Sequence, residues 1–380
     1  IDIGDTGVVG DQDPGTLYIE GIGTPAVPRD LGEVFVLVGQ LEVNNVIVDA
    51  GFIRVGSTID GQFSDPSEGT MVVRLSDVRE QVVVRKGLLT CQASSMSFAV
   101  LDAGVAQIDD CLVRSASGTG LSQTSIVGST ILGVGFRGTT NVSDSSIESS
   151  NGTVVEGTIT IGNSAPVFWD DSGTIVVGQN VHTTDLTVSS GSTVEAQSTD
   201  FRGGGITTVR LQSASTWRTF DLHSVRSATL DVVGASRIDA RGDLEISGGS
   251  PVTVGSGLAA DSHIDVAGDL KLGQTGTTFT SGTLTIEDGG YVSVDGTLYI
   301  RPAATLNLNG GTLRVTNLVE EGTLNENGGT LIVPEAGALS SAIAAVLGLA
   351  LVAPRSRRRD ALLERGSAGA PSSLDQEEIA

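Results

Sequence analysis

Lysine, histidine and cysteine are all scarce in this chain of 380 residues, and the scarcity of each narrows the range of possible functions. The three histidines are scattered and no CxxC motif accompanies the two cysteines, which argues against a zinc site. Bases are also few: residues 1–333 hold 39 of the 45 acids and 17 of the 22 bases, a net charge of −22. Such a body repels phosphates, so no nucleic acid partner is expected.

Short strands of alternating polarity are the dominant pattern. A Gly-Thr-Leu or Gly-Asp-Leu unit recurs at positions 242, 268, 282, 296, 311 and 329. The alternation of apolar and polar residues indicates strands with one buried face. Beyond Leu284 a strand begins about every seven residues, so three strands make a turn of about 21 residues, the size of a solenoid rung. An antiparallel sandwich would also give short, regularly spaced strands, but the spacing favours an all-β parallel β-helix (solenoid) with about 21-residue rungs.

Composition divides the chain into four predicted segments. Residues 1–33 are rich in Gly, Pro and Asp and are predicted to form an N-terminal cap or linker. Residues 34–333 carry the alternating strands and form the predicted solenoid. A sorting and transmembrane segment at 334–359 and a disordered tail at 360–380 complete the chain.

The two cysteines, Cys91 and Cys111, are separated by about the length of one predicted rung. One interpretation is a pair of small buried thiols. The other is a disulfide between adjacent rungs, because neighbouring strands lie about 4.8 Å apart, within reach of disulfide geometry.

Two acidic pairs, Asp109–Asp110 and Asp170–Asp171, are the candidates for catalysis if the solenoid is an enzyme. Glycoside hydrolysis needs two carboxyl groups roughly 5 to 9.5 Å apart. Adjacent residues on a strand point to opposite faces, so neither pair supplies this geometry by itself, and no catalytic residue is predicted. Trp169, with Trp217 further along, offers either a sugar-stacking platform or simple packing at a corner.

No cofactor is predicted. Asp11 and Asp13 stand two positions apart, as at the start of a calcium loop, but the third acid and the downstream glutamate are missing. An ordinary turn is therefore the simpler interpretation, and calcium is the weaker alternative.

The segment 336–353 differs from everything before it because it contains no charged residue. As a helix it would span about 27 Å, just enough for a bilayer core of about 30 Å. A cluster of arginines follows at once and predicts a cytoplasmic flank; it consists of Arg355, Arg357, Arg358 and Arg359. A helix that covers the end of the solenoid is the alternative.

Pro334 and Glu335, the apolar segment and the arginine cluster together resemble the PEP-CTERM sorting tail of Gram-negative bacteria. The resemblance implies an exported protein held in the inner membrane until an exosortase-like protease cleaves near the Pro-Glu motif. The mature protein would then reach the cell surface or the extracellular matrix. Two features depart from the family pattern: Ala336 replaces a proline, and residues 360–380 follow the arginines.

These observations predict an exported bacterial cell-surface or extracellular-matrix protein, structural or adhesive, with glycans or further copies of itself as partners. The alternative is a carbohydrate-active β-helix enzyme, either a polysaccharide lyase or a glycosidase. A third interpretation keeps the chain permanently in the membrane and requires that the Pro-Glu site is never cut.

Overall fold

In a computed structural model, the described part of the chain folds as an all-β parallel solenoid. The described residues are 2–3, 15–20, 29–36, 39–44, 47–55, 69–85, 88–102, 105–113, 116–118, 123–132, 134–149, 152–179, 183–203, 205–255, 261–273 and 280–334. Within these ranges every regular element is a strand, so none of them holds a helix that could span a bilayer.

The alternating pattern of the sequence translates directly into buried and exposed faces. In the strand Gly282–Glu287, Leu284 and Ile286 are fully buried, whereas the intervening threonines are partly exposed. Leu284 stands in register with Leu306, which stands in register with Leu324. Identical apolar positions therefore stack along the axis, and each rung covers the apolar surface of its neighbour.

The solenoid has three faces, sheets 1 to 3, and the chain visits them in that order. Sheet 1 is built from β2 (Gly15–Glu20), β4 (Gly39–Asn44), β6 (Gly69–Arg74), β8 (Leu88–Gln92), β10 (Val105–Asp109), β13 (Gln123–Val127), β19 (Thr184–Val188), β21 (Thr207–Leu211), β24 (Thr229–Val232), β27 (Ser250–Val254), β30 (Gly282–Glu287), β32 (Thr305–Asn309) and β34 (Thr323–Glu326).

Sheets 2 and 3 contain fewer strands of their own. Those confined to sheet 2 are β11 (Leu112–Val113), β14 (Thr130–Leu132), β16 (Ser146–Ser149), β22 (Thr216–Thr219), β25 (Arg237–Ala240), β28 (Ser262–Val266) and β35 (Thr330–Ile332). Those confined to sheet 3 are β1 (Asp2–Ile3), β12 (Ala116–Gly118), β23 (Leu222–Arg226), β26 (Asp243–Ser247) and β29 (Leu270–Leu272).

The remaining strands bend around a corner and belong to two sheets. Those that run from sheet 2 into sheet 3 are β3 (Arg29–Val36), β5 (Ile47–Val55), β7 (Asp77–Arg85), β9 (Ser95–Asp102), β18 (Phe168–Val177), β20 (Thr193–Arg202), β31 (Gly290–Ile300) and β33 (Thr312–Glu320). Those that run from sheet 3 into sheet 1 are β15 (Val134–Ser143) and β17 (Thr153–Ile161).

Rung length varies more than the sequence pattern predicts. Thr140 pairs with Thr124 one rung earlier, and Leu284 pairs with Val252, so the second of these rungs is twice as long as the first. The strands β27, β28 and β29 of the longer rung are only 5, 5 and 3 residues long, so the segments between strands take up the difference. Parallel pairing also reaches into the segment for which the sequence predicts a cap or linker, because β2 pairs in register with β4.

The glycine of the repeated Gly-Thr-Leu and Gly-Asp-Leu units lies where two rungs approach most closely. A Cβ atom on Gly242 would lie 1.4 Å from the carbonyl oxygen of Asp221, and one on Gly282 would lie 2.2 Å from that of Ile246. The repeat therefore has a steric cause: its glycine admits the backbone of the preceding rung, its second residue faces outward and its leucine enters the core.

One part of the core is aromatic. Trp169 and Trp217 are both fully buried, with ring centroids 6.4 Å apart. Phe201 packs edge-on against Trp217 at 5.1 Å, and His223 packs edge-on against Phe201 at 4.9 Å. The sugar-platform interpretation of the two tryptophans is therefore wrong, because neither ring reaches the surface.

Several predictions concern residues outside the described ranges. They include the sorting tail from Glu335 onward, with the arginine cluster at 355–359 and the segment 360–380, and the acidic turn at 11–13. Pro334 is the last described residue and is exposed.

Candidate functional site

A tight corner between sheets 1 and 2 repeats on five consecutive rungs. At each turn one residue adopts a left-handed backbone conformation, with φ between 47° and 59°. The five are Leu75, Ala93, Asp110, Gly128 and Asp144. Four of them are not glycine, an uncommon occupancy of this region for which tertiary packing must compensate. All five are exposed, so the corner forms a projecting ridge along the axis.

The residue after each ridge position turns inward and holds the corner together. Four of these residues are serines and one is Cys111. The Ser94 hydroxyl donates to the Gln92 carbonyl at 2.7 Å and accepts from the Ser76 amide at 3.1 Å. Ser129 and Ser145 continue the ladder in the same way. Each of these hydroxyls is therefore satisfied, and it ties its own rung to the preceding one.

A disulfide joins Cys91 and Cys111 beside this ladder, with an Sγ–Sγ distance of 2.21 Å and Cα atoms 6.5 Å apart. Cys91 lies on β8, and Cys111 occupies the corner of the following rung. The bond thus links neighbouring rungs at the place where the cysteine replaces a ladder serine.

A shallow groove runs along sheet 2 beside the ridge. Its two parts have volumes of about 840 Å³ and about 460 Å³, and they share Gly128 and Thr130. Its apolar surface includes Leu75, which is 62% exposed, and Phe168, which is 46% exposed. Hydroxyls also line the groove, from Ser95, Thr130, Ser146 and Thr193.

The charge of the groove is negative. Asp110 and Asp144 stand on its ridge side, and neither Lys nor Arg is among the described residues that line it. Asp77 also lines the groove, but Arg79 pairs with it at 2.9 Å. Asp110 and Asp144 are therefore the main source of negative charge on this wall.

A column of acids lies on sheet 2 on the other side of the groove floor. Glu148 stands in register with Asp170, and Asp170 with Glu195. They follow Ser146, Phe168 and Thr193 by two positions and so face outward on the same side. In-register strands place such residues about 4.8 Å apart, where like charges repel one another. The acids of the column therefore repel one another, although packing of the core would allow neutral residues at these outward-facing positions.

Arg218 interrupts the acidic column, which resumes beyond it at Asp239. It forms an ion pair with Glu195 on one side and with Asp239 at 2.9 Å on the other. The hydrogen bond to Asp239 is the main reason that the pKa of the Arg218 guanidinium is raised. Glu195 is therefore partly neutralised, whereas Glu148 and Asp170 are exposed.

The structure does not bring the sequence-predicted aspartates together. Asp109 and Asp110 are exposed at the ridge. Asp170 is exposed three strand spacings further along, roughly 14 Å at about 4.8 Å per strand. Asp171 is fully buried, and its carboxylate accepts hydrogen bonds from the Thr153 hydroxyl at 2.6 Å and from the backbone of the neighbouring turns. Asp171 is thus a structural residue of the corner within β18.

Sequence reasoning missed Phe168, Glu148 and Asp144. The sequence analysis considered the adjacent Trp169 as a possible sugar-stacking residue, although strand alternation places Trp169 inside and Phe168 outside. The signal that could have found the acidic column is the register between rungs, which irregular rung lengths conceal in the sequence.

Sheet 1 presents a different outer surface. Two outward columns run over nine successive strands, and eleven of the eighteen positions are threonine. Near the end, asparagines join the columns: the Asn325 carboxamide donates to Asn307 at 2.9 Å, and Asn327 donates to Asn309 at 3.0 Å. Hydroxyls and amides therefore predominate on this face, with Asp185, Arg210, Asp231 and Pro251 as the exceptions in the two columns.

Comparison with protein-family models, with curated proteins and with solved structures finds no match to this chain. The residues of the solenoid and its groove are therefore the basis for the function proposed below.

Proposed function

We propose that the protein is an exported bacterial surface or matrix protein whose solenoid serves as a structural and adhesive scaffold. The observation that carries the proposal is the in-register repetition of polar columns along the axis. On sheet 1 the threonine columns offer one hydroxyl about every 4.8 Å. Binding energy on such a surface comes from many weak contacts made at once rather than from a single deep pocket.

The arrangement of acids supports a scaffold over a carbohydrate-active enzyme. A glycosidase or lyase needs carboxyl groups and a base that converge on one bond of the substrate. Here Glu148 and Asp170 follow the axis, and the first arginine of their column is tied to two acids of its own. An extended ligand is the natural complement of groups that repeat in a line.

Delivery of the protein to the cell surface is proposed to depend on its C-terminal segment. Residues 336–353 have the length and apolarity of a transmembrane helix, and a positive flank follows them. The described core reaches its last fully buried residues, Leu313 and Val315, well before Pro334. A cut near Pro334 would therefore leave this core whole and release the solenoid to the surface, with an exosortase-like protease as the partner that makes the cut.

Mass spectrometry of the mature C-terminus tests this delivery. We expect surface and secreted forms whose last residue lies near Pro334, and membrane forms that retain the arginine cluster. Replacement of Pro334 and Glu335 by alanine should leave the chain in the membrane. An intact Ala380 terminus on all forms would contradict processing and support a permanently anchored protein instead.

A further inference from the structure

We infer that the groove on sheet 2 binds a cationic amino-sugar polymer, a polysaccharide whose rings carry free amines. This inference deepens the proposed function, on which it rests, by naming the class of glycan. It combines three properties of the groove: its exposed apolar floor, its acidic walls and the regular spacing of its groups.

The apolar floor needs a ligand with an apolar face. Phe168 and Leu75 are exposed at 46% and 62%, and Leu112 is half-buried between them along the groove. Exposed apolar groups along one concave surface are typical of binding sites. The face of a sugar ring, which carries only C–H groups, packs against such residues, and an aromatic ring also attracts a nearby ammonium group.

The carboxylates beside the floor are complemented by a positively charged ligand. Asp110 and Asp144 line the ridge side of the groove, and no base lines it among the described residues. Glu148 and Asp170 project from the same face of sheet 2, two positions beyond the lining residues Ser146 and Phe168. The repulsion within the acidic column is relieved when a cation binds between its members. Among the described residues no group of three or more His, Cys, Asp or Glu could hold a metal ion.

The spacing favours a polymer with a positive charge on each unit. Carboxylates recur at intervals of one strand, about 4.8 Å, along the column. Between the walls, the hydroxyls of Ser146 and Thr193 lie beside Phe168 and can bond to sugar hydroxyls. The groove therefore offers carboxylates for the amines of such a polymer, hydroxyls for its hydroxyls and apolar side chains for the faces of its sugar rings.

A basic peptide fits less well. Extended peptides gain much of their affinity by adding a strand to an unpaired sheet edge. Along the groove the strands β11, β14 and β16 are each paired on both sides, so these described strands offer no free backbone edge. The surface offers side chains alone, which suits a ligand that binds through hydroxyls and amines.

Direct titration of the full chain, purified in an uncharged detergent, tests the inference. The probes are a soluble glucosamine oligomer, its N-acetylated counterpart of equal length, and a lysine peptide of equal charge. The variants are a double Glu148→Gln, Asp170→Asn exchange and a single Phe168→Ser exchange. Asp185→Asn is the matched control, since Asp185 is an exposed acid on sheet 1.

We expect the glucosamine oligomer to bind at least about tenfold more tightly than its N-acetylated counterpart. The double exchange and Phe168→Ser should each weaken binding about fivefold, and Asp185→Asn should change it less than about twofold. Because the charges are exposed, added salt should also weaken binding. Thermal unfolding of each variant shows whether the fold is retained.

Equal binding of the N-acetylated oligomer would overturn the inference, as would an equal loss in Asp185→Asn. Tighter binding of the lysine peptide, unaffected by Phe168→Ser, would identify a basic protein segment as the partner and would also overturn it. These outcomes do not depend on the proposed delivery to the surface. Failure of the oligomer to bind would leave the prediction of a mature C-terminus near Pro334 standing. An uncut tail would leave the predicted binding standing.

Discussion

Acidification is expected to destabilise the solenoid through one histidine, His223, by about 5 kcal/mol in total. His223 is fully buried, its Nδ1 lies 3.0 Å from the Thr219 hydroxyl, and its Nε2 has no hydrogen-bond partner among the described residues. Burial lowers the pKa of His223 from 6.5 to about 3, although the charge of Asp200 opposes the shift. Between these two values the unfolded chain binds a proton that the folded chain does not. Stability therefore falls as the pH is lowered from 6.5 to about 3.

Urea unfolding as a function of pH measures this effect, and His223→Leu identifies its source. In the native protein this histidine should make the free energy of unfolding fall by about 1.4 kcal/mol for each pH unit between about pH 6 and pH 4. The variant should lack this contribution. Phe201→Leu is the control, because it perturbs the same packing without removing a titrating group. If native protein and His223→Leu keep the same pH slope, the buried neutral histidine is excluded as the source.

Replacement of Trp217 by alanine is expected to lower the free energy of unfolding by about 4 kcal/mol. The Trp217 ring is fully buried between Trp169 and Phe201, and its Nε1 donates to the Thr199 hydroxyl at 3.0 Å. The exchange therefore leaves a cavity in the core and removes one hydrogen bond of a buried hydroxyl. Because each rung supports the next, the loss should spread to the neighbouring rungs.

Equilibrium unfolding in urea, combined with hydrogen exchange, measures this change. Phe220→Ala is the matched control: Phe220 is an aromatic residue of the same rung but is 37% exposed and lies under the Arg241 guanidinium, so a smaller loss of about 1–2 kcal/mol is expected. Lost amide protection should centre on β20, β22 and β23. A cost for Trp217→Ala as small as that for Phe220→Ala would show that the aromatic core does not hold these rungs together.

Much of the fold could be predicted from the sequence because its causes are local. Alternation in GTLTI places Leu284 inside and Thr283 outside, and the glycine before them marks a close backbone approach. Rung length could not be predicted with the same success. The long rung between Val252 and its partner Leu284 contains an interval that sequence pattern alone does not assign to any strand.

The candidate site was harder to predict because it depends on register between distant residues. Glu148 and Asp170 lie on successive rungs and become neighbours only through strand pairing. The ridge was equally hidden, since Leu75 and Ala93 adopt a left-handed conformation that their residue types do not suggest. Asp171, a plausible catalytic acid in the sequence, instead holds a corner together.

The most direct test of the account is the location of the solenoid on intact cells. Brief protease treatment of whole cells, followed by mass spectrometry of the released peptides, should yield peptides from residues 34–333 without lysis. A cytoplasmic marker protein shows that the cells stayed intact. Release of solenoid peptides from unbroken cells is the predicted result, and their appearance only after lysis would contradict an exported surface scaffold.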